Sequence, residues 1–183
     1  MKILILSVLV LVSACSSQPT STTQYLLRSA SQQQSRQLNP SADYRFASLK
    51  VADYIDQSGL VLETGAGEIH AARNHQWAEP LRTSLKSYLA TEVSREVGED
   101  IFFTGSGTNP TEIAIVIDQL HGNSRGEAVL VAYWYLNRAQ GDDSAFQFAE
   151  TQALARDGYG ALVDAELILL RGLALQIAES LVK

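Results

Sequence analysis

Residues Met1–Ser17 read MKILILSVLVLVSACSS. Lys2 supplies a positive start, Ile3–Val12 form an apolar run broken only by Ser7, and the small residues Ser13 and Ala14 lead into Cys15. A charged start, a short apolar stretch and small residues at the cut make a secretory signal. The stretch is too short to cross a bilayer as a helix, which takes about 20 residues. Residues 1–14 are therefore expected to be removed, and the rest of the chain to fold outside the cytoplasm.

The ending Val12-Ser13-Ala14-Cys15 resembles the bacterial lipobox, and Cys15 is the only cysteine in the chain. That resemblance implies acylation of the Cys15 thiol, cleavage before it, and acylation of the new amino terminus. The competing reading is an ordinary signal residue or an idle thiol. One acyl chain holds a protein marginally, at about 0.8 kcal/mol per buried methylene, whereas three hold it almost permanently. Ser16 stands where an Asp is the usual inner-membrane retention signal in enteric bacteria, which points to the outer membrane, facing the periplasm.

The formal net charge is −6, and Lys2 is the only charge in the leader, so the mature chain is more acidic still. No basic block exists, which argues against a nucleic-acid partner and against broad adhesion to anionic headgroups. With no second cysteine, the fold must hold by its core alone. Past the leader the most apolar run, Ala165–Ala178, is broken by Glu166, Arg171 and Gln176.

Ser16–Thr23 (SSQPTSTT) is polar and reads as a tether, reaching at most about 28 Å. The expected organisation is a signal over 1–14, a lipidated tether over 15–23 and one domain over 24–183. Tyr25-Leu26-Leu27 reads as a first strand and Ser29–Pro40 as a loop. Tyr44–Ile55, Leu60–Leu62 and Glu68–Arg73, separated by Gly, Asn and Ser turns, read as strands. Trp77-Ala78-Glu79-Pro80-Leu81 is expected to open a helix, with Pro80 in its first turn and Glu79 at its positive end. Its stripe is Leu81, Leu85, Leu89, Val93 and Val97, and Gly98 is the stop. Ile101-Phe102-Phe103 reads as a short strand. Glu112–Asp118, Ala128–Leu136 and Ala145–Gln152 read as three more, the first two joined by a Gly122–Gly126 hairpin. Tyr159–Val182 is a long final helix with a wide apolar face, expected to lie flat on a sheet. The fold class is α/β, α+β-like: one domain, a mixed sheet and two main helices. Whether the helices cover one face or both is open.

Chemistry is sparse. His70 and His75 are five apart and His121 is distant, which is not a metal-ligand spacing. Gly65-Ala66-Gly67 and Gly105-Ser106-Gly107 lack the lysine of a phosphate loop and read as turns. Asp53/Asp56 and Asp142/Asp143 read as solvated turn residues, and no G-x-S-x-G elbow exists. No cofactor, metal or catalysis is expected. Tyr133-Trp134-Tyr135 is either a core residue between half-exposed neighbours or a greasy binding surface. Trp77 either packs over the helix end or touches a partner.

The order of the lipobox, Tyr25-Leu26-Leu27, Leu49–Asp56, Trp77–Leu81, Ala132–Leu136 and Gly160-Ala161-Leu162-Val163 resembles the PqiC (YmbA) family of membrane-integrity lipoproteins, also described as auxiliary lipoproteins of ABC-type transport systems. That resemblance implies a fold similar to anticodon-binding or TolB amino-terminal domains. It also implies a non-enzymatic, palmitoylated lipoprotein on the periplasmic face of the outer membrane, working beside an MCE-domain protein in phospholipid transport, as a homo-oligomeric ring. Only Cys15 carries over with a defined role. Trp77, Glu79, Pro80, Leu81 and Trp134 are the candidate partner contacts. The other readings are a scaffold for outer-membrane proteins or lipopolysaccharide and an envelope hydrolase, the latter disfavoured by the missing catalytic constellation.

Overall fold

The computed structural model describes residues 21–29, 39–65, 67–102 and 109–182. The leader, Cys15 and the Gly105-Ser106-Gly107 turn lie outside them, as do most of the Ser29–Pro40 loop and Ala66 of the Gly65–Gly67 turn.

Among the described residues, seven strands form one mixed sheet. In chain order they are β1 (Thr23–Tyr25), β2 (Tyr44–Val51), β3 (Gly59–Gly65), β4 (Glu68–Trp77), β5 (Thr111–Asn123), β6 (Glu127–Asn137) and β7 (Ser144–Ala153). Helix α1 (Leu81–Val97) follows β4, and α2 (Tyr159–Leu181) ends the fold. Across the sheet the order is β1-β4-β3-β5-β6-β7, with β2 also beside β5. β2 and β3 share one edge of β5, β2 along Thr111–Ile117 and β3 at Gly122 and Asn123, both parallel to it. β5, β6 and β7 form an antiparallel meander.

Period-two alternation sorts the two sheet faces. Ile113, Ile115 and Ile117 on β5, Leu130, Trp134 and Leu136 on β6, and Phe148 on β7 are buried. Val116, Val131 and Tyr133 point the other way and are half-buried, while Tyr135 is exposed. The two helices pack on one another and on the same buried face. That settles the question the sequence left open: one face is covered and one faces solvent, the common arrangement for antiparallel sheets.

Helix α1 buries Leu81, Leu85, Tyr88, Leu89 and Val93 along its expected stripe. It stops at Gly98, whose φ of +82° is left-handed and whose N–H reaches Ser94 O at 3.0 Å. Helix α2 buries Leu162, Leu169, Leu170, Leu173 and Ile177. Trp134 Nε1 donates to Ser180 Oγ at 3.0 Å and its ring stacks on Phe146, fixing α2 to the outer half of the sheet.

Several boundaries differ from the sequence reading. β1 is Thr23–Tyr25, so Leu26 and Leu27 lie just beyond it. β2 ends at Val51 and gives way to a turn through Ile55. β4 runs on to Trp77, because β1 and Gly59 of β3 supply partners for its last residues. Trp77 therefore ends a strand instead of opening a helix, and Pro80 is the N-cap with extended ψ. Ile101 and Phe102 are not in a strand. Ile101 is instead pinned by its carbonyl, which accepts from Phe46 N–H at 2.9 Å.

Each helix buries one acid among these apolar side chains. Glu92 on α1 is fully enclosed, as is Glu166 on α2. Burial pushes the Glu166 carboxyl up to about 8, and its Oε2 has no hydrogen-bond partner.

Candidate functional site

The segment that begins at Thr23 is held to the body through Tyr25, Leu27, Arg28 and Ser29. β1 pairs parallel to the last residues of β4, Thr23 beside His75 and Tyr25 beside Trp77. Ala78 N–H donates to Tyr25 O at 2.8 Å. The Tyr25 hydroxyl lies 3.0 Å from His75 Nδ1, and the two rings stack. His75 stacks in turn on Tyr159, the first residue of α2, at 4.2 Å between centroids. Leu26 points outward, 57% exposed, while Leu27 is buried. Arg28 donates to Glu79 Oε1, and Ser84 Oγ donates to the same carboxylate at 3.2 Å. The Arg28 guanidinium holds the Glu79 carboxyl below the usual carboxylate range. Ser29 Oγ donates to Glu92 Oε1, and Arg95 Nη2 lies 3.0 Å from the other Glu92 oxygen.

The consequence is mechanical. These contacts couple the segment to β4, to α1 through Glu79 and Glu92, and to α2 through His75 and Tyr159. The short apolar run Tyr25-Leu26-Leu27 was the visible part of this clamp. Glu92 was missed, although an acid seven residues after Leu85, on the apolar stripe, is a signal. His75 and Tyr159 were not linked because nothing in sequence distance relates them.

The candidate contact residues separate by exposure. Trp77 is 6% exposed, Leu81 3% and Trp134 2%. Their side chains fill the core and offer no surface to a partner while this packing holds. The burial supports the packing alternative for Trp77 and the core alternative for Trp134. Pro80 is exposed and Glu79 half-exposed beside the clamp.

The other polar residues stay apart. His70 is exposed, and His121 is buried with Nδ1 3.1 Å from Gly122 O. Asp56 accepts from Arg82 at 2.6 and 2.8 Å, and Asp143 from the Arg138 N–H at 3.1 Å. Among the described residues, no three His, Cys, Asp or Glu side chains converge as metal ligands. No described helix is long and apolar enough to cross a membrane.

Comparison with known proteins places this geometry. The fold is shared with a crystal structure of an uncharacterized protein, at a TM-score of 0.74 and 22% identity over 87% of this chain and 98% of that one. It is also shared with a crystal structure of a Xanthomonas campestris protein, at a TM-score of 0.59 and 15% identity over 87% and 95%. The intermembrane transport lipoprotein PqiC of Escherichia coli K12 is 25% identical over 62% of this chain. The same protein of Shigella flexneri matches to the same degree. This chain spans 60% of the length of those relatives. The family described as the ABC-type transport auxiliary lipoprotein component matches residues 25–178, from the clamp into the last turn of α2. The chain belongs to that family of ABC-type transport auxiliary lipoprotein components.

Proposed function

We propose that this protein is an acylated, non-enzymatic lipoprotein of an intermembrane transport system. In this reading it is anchored through Cys15 to the periplasmic face of the outer membrane and docks an MCE-domain protein that carries phospholipid. The family match across residues 25–178 carries the reading. A cysteine at the end of a short apolar leader and a clamp that begins at Thr23 support it. A domain whose anchor-side segment is fixed to both helices suits a load-bearing adaptor. A ring of such copies would multiply the hold of each anchor on the membrane and would need a head-to-tail interface that closes. Glu79 and Pro80 are the candidate contacts left at the surface.

The experiment is a mild-detergent pull-down of the acylated protein from its own membranes, with Cys15→Ala as control. An MCE-domain protein that co-purifies with bound phospholipid is the expected result. A β-barrel without an MCE protein would replace the transport reading with assembly of outer-membrane components.

A further inference from the structure

We propose that the β1–β4 flank of the sheet is the surface that rests on the phospholipid bilayer, with Leu26 and Ile69 in the headgroup region. The inference rests on the anchor reading of Cys15. Its geometric basis is the place where the strand pairing begins. Among the described residues Thr23 is the first that is paired, at the outer edge of the sheet. Cys15 stands eight residues ahead of this fixed point, a stretch that spans at most about 28 Å.

That length decides which surfaces can face the bilayer. β7 lies five strand spacings from β1, about 24 Å away. A tether that had to cross the sheet and still clear the side chains of β7 would be too short. The end of the sheet that carries the β6–β7 connection is disfavoured by direction. β1 runs parallel to β4, so the chain ahead of Thr23 leaves toward the start of β4 and would have to reverse to reach that end. The flank itself needs no such detour.

The chemistry of the flank fits a lipid surface. Leu26 is 57% exposed and Ile69 41% exposed, one just past β1 and one at the start of β4. Among the described residues, no strand pairs with the outer edge of β4 from Glu68 to Asn74. Backbone amides there, with the exposed side chains of His70 and Arg73, can donate to phosphate oxygens. The absence of a broad basic patch is no obstacle, because the acyl chains supply the affinity and the flank sets only the orientation.

The test uses the full acylated protein in vesicles of phosphatidylethanolamine and phosphatidylglycerol, with a nitroxide-headgroup lipid as quencher. Single cysteines introduced as Leu26→Cys, Ile69→Cys and, on β7, Ala149→Cys carry an environment-sensitive fluorophore. Acylation leaves Cys15 unavailable to the label, and no other native thiol exists. Quenching several-fold stronger at positions 26 and 69 than at 149 is expected. Equal quenching at all three positions, or stronger quenching at 149, overturns the orientation. The mass of the amino-terminal peptide separates the two claims. An unmodified Cys15 overturns the anchor and the orientation together, whereas an acylated Cys15 with the wrong quenching pattern overturns the orientation alone.

Discussion

The Tyr25 hydroxyl sits 3.0 Å from Nδ1 of His75. The same imidazole stacks on Tyr159, so one side chain joins the first strand to the last helix. His75→Ala removes the hydrogen bond and both stacks and is expected to lower stability by about 1–2 kcal/mol. Tyr25→Phe, which keeps the ring, should lose about 1 kcal/mol. Urea midpoints at constant m-value measure both, and an unchanged midpoint for His75→Ala would show that the clamp bears no load.

Ser29 and Glu92 form the other half of the clamp. Ser29→Ala and Glu92→Ala each remove one partner of a buried hydrogen bond, with an expected cost of about 1–3 kcal/mol. Because the two groups act together, the double variant should lose less than the sum of the singles, which a double-mutant cycle reads directly. Strict additivity would show that they do not couple.

Glu166 makes stability depend on pH. Its folded value of about 8 lies above the ordinary 4.5. Between those values the folded state holds a proton that the unfolded state has released. Stability from this group is therefore complete below about pH 4.5 and is lost as pH rises toward about 8, by a few kcal/mol. Glu166→Gln should be more stable than the parent at pH 8 and nearly equal to it at pH 4.5. The difference between the two denaturation series isolates this group from the exposed carboxylates, and parallel pH profiles would refute the assignment.

Trp77→Ala should behave as a core truncation, costing about 3–5 kcal/mol. Pro80→Ala, three residues on and exposed, should leave folding intact. Thermal melts of the monomer distinguish them. A Trp77→Ala protein that melts normally yet fails to assemble would return Trp77 to the contact surface.

Gly59 and Gly160 make an opposed pair. A Cβ on Gly59 would meet Ala72 O at 2.5 Å, whereas on Gly160 it would meet nothing within 4 Å. Gly59→Ala is expected to destabilise by about 2 kcal/mol or more, since backbone cannot yield to it. Gly160→Ala is expected to stabilise α2 by about 0.5 kcal/mol. Paired chemical denaturation checks both signs.

Local pattern was enough for the elements with strong periodicity. The stripe Leu81-Leu85-Leu89-Val93 and the stop at Gly98 gave α1 its face and its end. The alternation through Ile113, Ile115 and Ile117 gave β5 its buried side. The error at Trp77 has a definite origin. Pro80 marks the helix start correctly, but strand β4 runs almost up to it, because β1 and β3 bind its last residues from far away in sequence.

The short apolar start, the lone cysteine and the family resemblance were properties of the sequence by itself, because they depend on composition and local order. The single-domain α+β class was too, because hydrophobic periods of about two and about four residues are local. Tertiary structure decided what no period encodes: that both helices share one face, that Trp77 and Trp134 are buried, and that Glu92 meets Ser29 and His75 meets Tyr159. These meetings join residues more than forty positions apart, and they exist only once a parallel pairing and two helix packings have fixed the register of the sheet.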